Sequence, residues 1–239
     1  MPSFAAIICA AGSSSRMRYA GAGGIKKEYR LLPERDDGLT VLGAAVSAFA
    51  AVSAIQTIVI TVPDDAFAGE AAARKALPPQ LLEGSSGIHF IPGGPTRQAS
   101  VYNGLRALEK ISAPDFVLIH DGARPFVSSS LIMRIIDAAH KNRAVIPLTA
   151  LTETPKKIDA PLDGDGTVFI SQHLKRDFVR AAQTPQGFAF PEILAAHAKL
   201  AAQNDVYTDD AEVWAAFYGP VAAIAGETEN RKITFPEDL

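Results

Sequence analysis

The chain alternates short apolar runs with longer stretches of helical periodicity. The apolar runs have the length of buried strands and lie at 4–9, 56–62, 88–91, 116–119, 144–148 and 221–225. Helical patterns occupy 41–51, 64–77, 97–110, 129–142, 191–204 and 208–214. Strands that alternate with helices predict an α/β fold, in which a mostly parallel, twisted sheet carries helices on both faces.

The loop after the first strand consists of small residues, whose backbone amides can approach and cradle a phosphate. Those expected to contact a nucleotide are Ala10, Ala11, Gly12 and Ser13. Arg16 and Lys27 follow and would supply the positive charge that a triphosphate needs. The loop is not a Walker A sequence, and Gly12 stands alone where a dinucleotide fingerprint has three spaced glycines. An ordinary strand-to-helix turn therefore remains an alternative.

Three loops are expected to meet at one edge of the sheet. They span 10–27, 93–100 and 121–124, and each follows a predicted strand. Because right-handed crossovers place the carboxyl ends of parallel strands at the same edge, these loops predict a nucleotide site there.

The segment from about 150 to 180 interrupts the alternation. A polar, extended stretch at 152–158, a strong turn signal at 163–166 and an apolar run at 167–170 predict a β-hairpin arm. An isolated hairpin is only marginally stable in water, so the arm should pack on a second subunit or fold back on its own domain. With no interdomain linker in the sequence, we expect residues 1–239 to form one domain.

Composition and net charge restrict the classes of protein to which the chain can belong. A net charge of −3 provides no basic face for a nucleic acid polymer, and no apolar stretch approaches the roughly 20 residues that span a bilayer. The N-terminus does not resemble a signal peptide, so a cytoplasmic location is expected. The single cysteine, Cys9, cannot form an intramolecular disulfide and is expected to pack in the core. His89, His120 and His173 lack metal-ligand spacing.

Short motifs along almost the whole chain occur in the order found in a known family. They are Ala10-Ala11-Gly12 to Arg16-Met17, Lys27 with Tyr29, Gly93-Gly94 to Arg97 with Ser100-Val101, His120-Asp121-Gly122-Ala123-Arg124-Pro125, Gln183-Thr184-Pro185-Gln186, Thr208-Asp209, and Lys232-Ile233-Thr234 with Pro236-Glu237-Asp238-Leu239. Each motif is weak alone, but together they are specific. The sequence resembles the 2-C-methyl-D-erythritol 4-phosphate cytidylyltransferases of the non-mevalonate isoprenoid pathway.

The resemblance implies a Rossmann-like nucleotidyltransferase fold, a homodimer joined through the β-arm, CTP and a polyol phosphate as substrates, and Mg²⁺ as cofactor. Arg16, Lys27 and Lys232 match catalytic basic residues. The positions that match nucleotide contacts are Ala10, Ala11, Gly12, Ser13, Gly93, Gly94, Ser100 and Asp121. Those that match contacts to the polyol phosphate are Asp121, Gly122, Arg124, Thr154, Arg176 and Thr184. In the family, Thr154, Arg176 and Thr184 come largely from the arm of the partner subunit, and Asp121 also matches the metal ligand.

Two departures from the family pattern leave alternatives open. Ser13-Ser14-Ser15 stands where the family usually has more glycine, and Lys26 stands where it usually has proline. Either Lys26 or Lys27 could therefore be the catalytic lysine, and Lys27 is favoured because Tyr29 fixes the alignment. The alternative functions are a ribitol 5-phosphate cytidylyltransferase and a non-catalytic nucleotide-binding module. The stop at Leu239, just after a helix-start pattern, leaves open a continuation into a fused pathway enzyme.

Overall fold

The sheet is built around its first strand. In the computed structural model, the described residues are 2–12, 25–33, 37–65, 68–83, 87–162, 166–203 and 207–239. Strand β1 (Phe4–Cys9) pairs in parallel with β2 (Ile55–Val62) and with β4 (Phe116–Asp121), and β2 pairs in parallel with β3 (Ile88–Pro92). All six residues of β4 are buried, as expected for a strand covered on both faces.

The other half of the sheet mixes strand directions. β5 (Ala144–Ala150) pairs in parallel with β10 (Ala222–Ala225), whereas β8 (Arg180–Ala182) and β9 (Gln186–Ala189) run antiparallel to it. The order is β10-β5-β9-β4-β1-β2-β3, with β8 also on β5. The mostly parallel sheet is therefore confirmed. β9 lies between β4 and β5, which the sequence pattern did not predict, and it brings the 183–186 segment beside β4.

Helices cover both faces, as predicted. They are α1 (Val41–Ala50), α2 (Ala68–Lys75), α3 (Pro79–Glu83), α4 (Arg97–Ile111), α5 (Ser129–Asn142), α6 (Phe190–Gln203) and α7 (Asp210–Tyr218). Successive strand residues point to opposite faces. Gly104 of α4 lies against Ile7, whereas Leu42 of α1 and Ile8 both lie against Gly122, so α4 and α1 are on opposite sides of β1.

The predicted helix starts agree with the observed caps. The hydroxyl of Thr40 accepts from the Gly43 amide at 2.9 Å, and that of Ser128 accepts from the Leu131 amide at 2.9 Å. Pro79 begins α3, a helix outside the predicted patterns, and proline is tolerated there because the first helical amide needs no partner.

The arm is a separate two-stranded antiparallel sheet, formed by β6 (Lys156–Ile158) and β7 (Ile170–His173). Its second strand lies later than the predicted 167–170, because Lys156 pairs with His173 and Ile158 with Ile170. The predicted turn falls partly on 163–165, outside the described residues. All residues of both strands are exposed.

Candidate active site

A cleft of about 420 Å³ opens at the carboxyl edge of the parallel strands. The described residues of the three predicted loops meet there, and residues of the C-terminal segment join them. Its lining includes Ala11, Gly12, Lys27, Gly94, Arg97, Ser100, Asp121, Ala123 and Lys232. This location is where open α/β sheets bind their ligands.

Small residues let the first two loops contact each other. A Cβ atom on Gly93 would lie 2.3 Å from the Cβ of Ala11 and 2.9 Å from the hydroxyl of Ser100, so no larger residue fits there without a shift. The Ser100 hydroxyl accepts from the Gly94 amide at 3.0 Å and donates to the Thr96 carbonyl at 2.9 Å. The predicted nucleotide-side residues of these loops are therefore brought together.

Asp121 is the charged centre of the cleft. It ends β4 and pairs in register with Cys9 at the end of β1. Its Oδ1 accepts from Nε of Arg97 at 3.0 Å, and its Oδ2 accepts from Nζ of Lys232 at 2.6 Å. Burial by itself would raise the pKa of Asp121, but Arg97 and Lys232 outweigh burial and hold the pKa well below its usual range. Asp121 is therefore ionised at neutral pH.

Hydrogen bonds lead from the Asp121 amide through Thr184 and His120 to the loop that follows β4. The Asp121 amide donates to the Thr184 hydroxyl at 3.1 Å, and that oxygen is 3.1 Å from Nδ1 of His120. Nε2 of His120 is 3.1 Å from the Arg124 carbonyl, which assigns the ring proton to Nε2 and makes Nδ1 an acceptor for Thr184. Burial lowers the pKa of His120 to about 4, so the ring is neutral at pH 7. Thr184 is buried beside Asp121 and His120.

The two candidate lysines bind different backbone groups. Lys27 is buried and lines the cleft, and its Nζ donates to the Ile233 carbonyl at 2.7 Å. Nζ of Lys26 donates to the carbonyls of Ala10 and Gly12, and so closes the start of the first loop. Both lie beside the cleft, and the choice of Lys27 as the catalytic lysine stays a prediction.

Arg124 joins the loop after β4 to the chain's last segment. Its Nη1 donates to the Asn230 carbonyl at 2.7 Å, and the Ile233 amide donates to the Ala123 carbonyl at 2.8 Å. Gly122 lies in the same loop, where a Cβ would approach the Cys9 carbonyl to 3.0 Å. These contacts place Lys232 next to Asp121, although 111 residues separate the two.

The remaining predicted residues lie elsewhere. Ser13 and Arg16 fall outside the described residues. Thr154 and Arg176 are exposed and are not among the residues that line this chain's cleft. Nη1 of Arg176 donates to the Thr152 carbonyl at 3.0 Å. Their predicted contacts with substrate stay predictions that depend on a second subunit.

Some residues of the cleft were not recognised from the sequence. Cys9 packs against the core as expected, but it is only partly buried and also lines the cleft, because β1 ends there. Desolvation raises the pKa of its thiol to about 12, so it is protonated at neutral pH. Arg97 was part of a quoted motif with no assigned role, and its partner Asp210, which does not line the cleft, had no role in the predicted site. No spacing rule could have paired them.

The donor set suits a metal ion held mainly by its substrate. Among the described residues, no cluster of three or more His, Cys, Asp or Glu side chains could enclose a metal. Mg²⁺ is commonly held by one or two carboxylates together with phosphate oxygens and waters. The ionised Asp121, which lines the cleft together with Glu28, fits that pattern.

Comparison with known proteins decides the family. The family model described as "IspD: 2-C-methyl-D-erythritol 4-phosphate cytidylyltransferase" matches residues 4–239. The chain belongs to this family. The resemblance and the nucleotidyltransferase fold predicted from the motifs are therefore confirmed, and cytidylyl transfer to this polyol phosphate is the family's activity.

The relatives extend this result to sequence and structure. A bifunctional enzyme IspD/IspF from Nitrobacter winogradskyi is 43% identical over 242 residues, covering 98% of this chain and 54% of that protein. The crystal structure of 4-diphosphocytidyl-2C-methyl-D-erythritol synthase from Anaerococcus prevotii matches with a TM-score of 0.78 and 31% identity, covering 99% of this chain and 92% of that one. The 2-C-methyl-D-erythritol 4-phosphate cytidylyltransferase from Thermus thermophilus matches with a TM-score of 0.71 and 30% identity, covering 99% and 95%.

The chain spans about half the length of the curated relatives it matches. Within the described ranges, no helix has the length and apolar character needed to cross a bilayer. The cytoplasmic location stays a prediction.

Proposed function

We propose that this chain transfers CMP from CTP to 2-C-methyl-D-erythritol 4-phosphate, giving 4-diphosphocytidyl-2-C-methyl-D-erythritol and pyrophosphate. The observation that carries the proposal is the cleft itself, in which the ionised Asp121 and several cations meet at the carboxyl edge of the sheet. Lys27, Arg97 and Lys232 line the cleft, and Arg124 lies in the loop that follows Asp121.

The chemistry needs cations and alignment more than a catalytic base. A phosphate oxygen of the polyol phosphate attacks the α-phosphorus of CTP, and the bond from that phosphorus to the oxygen bridging to the β-phosphorus breaks as pyrophosphate leaves. The second pKa of a phosphate monoester is about 6, so the nucleophile is mostly dianionic at pH 7. The main barriers are repulsion between two anions and their alignment.

The lysines, Arg16 and Arg124 each have a place in that scheme. Lys27 and Lys232, with Arg16 from the first loop, would neutralise the triphosphate and the charge that develops on the leaving pyrophosphate. Arg124, in the loop after Asp121, would bind the polyol phosphate. The loop around Gly12 would bind phosphate, and the Gly93-Gly94 backbone with Ser100 would lie against the base. These roles follow the family motifs, and for Lys27, Lys232 and Arg124 they are supported by side chains that lie in or beside the cleft.

Asp121 would hold Mg²⁺ together with the phosphates. When bound, the ion would screen the charges on the triphosphate and help fix its geometry. Asp121 suits this role because its carboxylate is deprotonated. It lies at the carboxyl end of β4, in the cleft that Gly12 and Gly94 also line.

The arm would complete the site in a homodimer. Its apolar side chains are exposed, with Phe169 74% and Phe178 85% accessible, next to the exposed Arg176. A second subunit that covers these rings would bring Thr154 and Arg176 to the polyol phosphate of its neighbour.

The decisive experiment measures pyrophosphate release from CTP and Mg²⁺ with 2-C-methyl-D-erythritol 4-phosphate and, in parallel, with ribitol 5-phosphate. We expect rapid release with the first and little with the second. Preference for ribitol 5-phosphate would replace the proposed acceptor, and CTP binding with no release on either would indicate a non-catalytic module.

A further inference from the structure

Arg97 joins the cleft to a second, buried carboxylate. Its Nε contacts Oδ1 of Asp121 at 3.0 Å, while its Nη2 lies 2.8 Å from Oδ2 of Asp210. Asp210 is 1% exposed, in the first turn of α7, and its Oδ1 is 3.2 Å from Nε2 of the equally buried His197. One planar guanidinium therefore bridges two carboxylates from different parts of the chain.

The bridge ties together three elements of the fold. Arg97 begins α4, Asp121 ends β4, and Asp210 begins α7. Burial would raise the pKa of Asp210, but Arg97 and then His197 outweigh it, and the net direction is down. A buried charge without its partner is strongly destabilising, so Asp210 holds Arg97 in one position.

The two cations on Asp121 are held very differently. Arg97 is fixed by two carboxylates and has the rigid fork that suits bridging. Lys232 carries a point charge on a flexible stem, and its described ion pair is with Asp121 alone. When Asp121 takes a new partner, Lys232 can leave Oδ2 and turn to a phosphate, whereas Arg97 keeps Oδ1 in place.

We infer that Arg97 is a positioning residue, anchored by Asp210, which holds the Asp121 carboxylate in the orientation needed for metal and nucleotide. This inference rests on the proposed function. It assigns Arg97 no contact with substrate, and it makes Asp210 act on the reaction only through Arg97.

A double-mutant cycle tests this dependence. Outer residues that orient a metal-binding group typically change metal affinity or activity by about 10–100-fold. We expect Asp210→Asn to lower kcat/KM about tenfold in the wild-type background and less than twofold in an Arg97→Gln background. Multiplication of the two single effects would overturn the inference, because the residues would then act independently.

A binding measurement gives a readout separate from turnover. Calorimetric titration of CTP with and without Mg²⁺ reports how much the metal strengthens nucleotide binding. We expect Arg97→Gln and Asp210→Asn to reduce this Mg²⁺-dependent gain, with weaker effects on CTP alone. The matched control is Arg106→Gln, an exposed arginine of the same helix that lies against Tyr102 outside the cleft and should leave the gain unchanged.

Arg97→Lys keeps the test informative if Asp210→Asn fails to fold. Lysine preserves the charge but cannot bridge both carboxylates, so we expect a folded protein that has lost most of the Mg²⁺-dependent gain. Full activity and full gain in Arg97→Lys would show that charge alone suffices and would overturn the inference. A wild-type protein that releases no pyrophosphate would instead reject the proposed function.

Discussion

In the cleft, Asp121 is 9% exposed and both of its carboxylate oxygens contact cations of the same chain, whereas on the arm Phe178 is 85% exposed and Phe169 74%. The buried carboxylate of the cleft is thus paired within the chain, by cations from segments that are far apart in sequence. The arm instead leaves large apolar rings in water, which is unfavourable unless another surface covers them. The comparison indicates that one chain forms the charge arrangement by itself, and it supports the proposal that the polyol site is completed by a second subunit.

The largest expected effect lies in the cleft. Lys27→Ala should lower kcat by about 10²–10³, because it removes the buried cation proposed to stabilise the charge that develops on the leaving pyrophosphate. Steady-state pyrophosphate release measures the effect, and thermal unfolding checks that the fold survives. Lys26→Ala is the matched variant; a larger loss there than in Lys27→Ala would show that the register favoured from Tyr29 is wrong.

The arm is tested by its most exposed ring. Fully burying a phenylalanine contributes about 1.5–3 kcal/mol, and a homodimer would lose one ring from each subunit, so Phe178→Ser should weaken subunit association by about a hundredfold or more. Sedimentation equilibrium measures the dissociation constant. Met133→Ser changes a 43% exposed apolar side chain on α5 and should have no such effect. An unchanged monomer–dimer equilibrium in Phe178→Ser would remove the arm from the interface.

The pH dependence of stability should report the protonation of His120, which lies behind Asp121. Burial lowers the pKa of His120 from 6.5 to about 4. Below about pH 6.5 the unfolded chain therefore binds a proton that the native state does not bind until the pH approaches 4. Stability should be flat above that pH and fall by about 2 kcal/mol by pH 5. Urea unfolding between pH 8 and pH 5 measures the fall.

Two variants assign that fall to one ring. His120→Asn should flatten the profile, and His173→Asn, on the exposed arm, should leave it unchanged. A profile that keeps its slope without His120 would contradict the assignment.

Subunit mixing joins the two regions in one experiment. If each site combines the cleft of one subunit with the arm of the other, Lys27→Ala and Arg176→Ala subunits should complement each other. Random exchange in equal amounts makes half the dimers mixed, each with one intact site, so activity should recover to roughly one quarter of the wild-type level. No recovery after proven exchange would place the whole site within one subunit.

Local sequence was sufficient for the parallel strands and most of the helices, but not for β8, β9 or α3. The apolar runs predicted the parallel strands, and helical periodicity predicted the helices that Thr40 and Ser128 cap, because periodicity and caps are short-range properties. The second arm strand was displaced, since a hairpin's register depends on cross-strand pairing that a turn signal does not fully specify.

By itself, the sequence determined the α/β fold, the family and the loops that meet at the sheet edge, because these follow from periodicity, turn chemistry and short motifs. Only the tertiary structure showed that β9 lies between β4 and β5, that Cys9 faces the cleft, and that Arg97 bridges Asp121 to Asp210. The physical reason is that buried charges find their partners across space. The energy of such a pair depends on distance and desolvation, and neither is written in the spacing of residues along the chain.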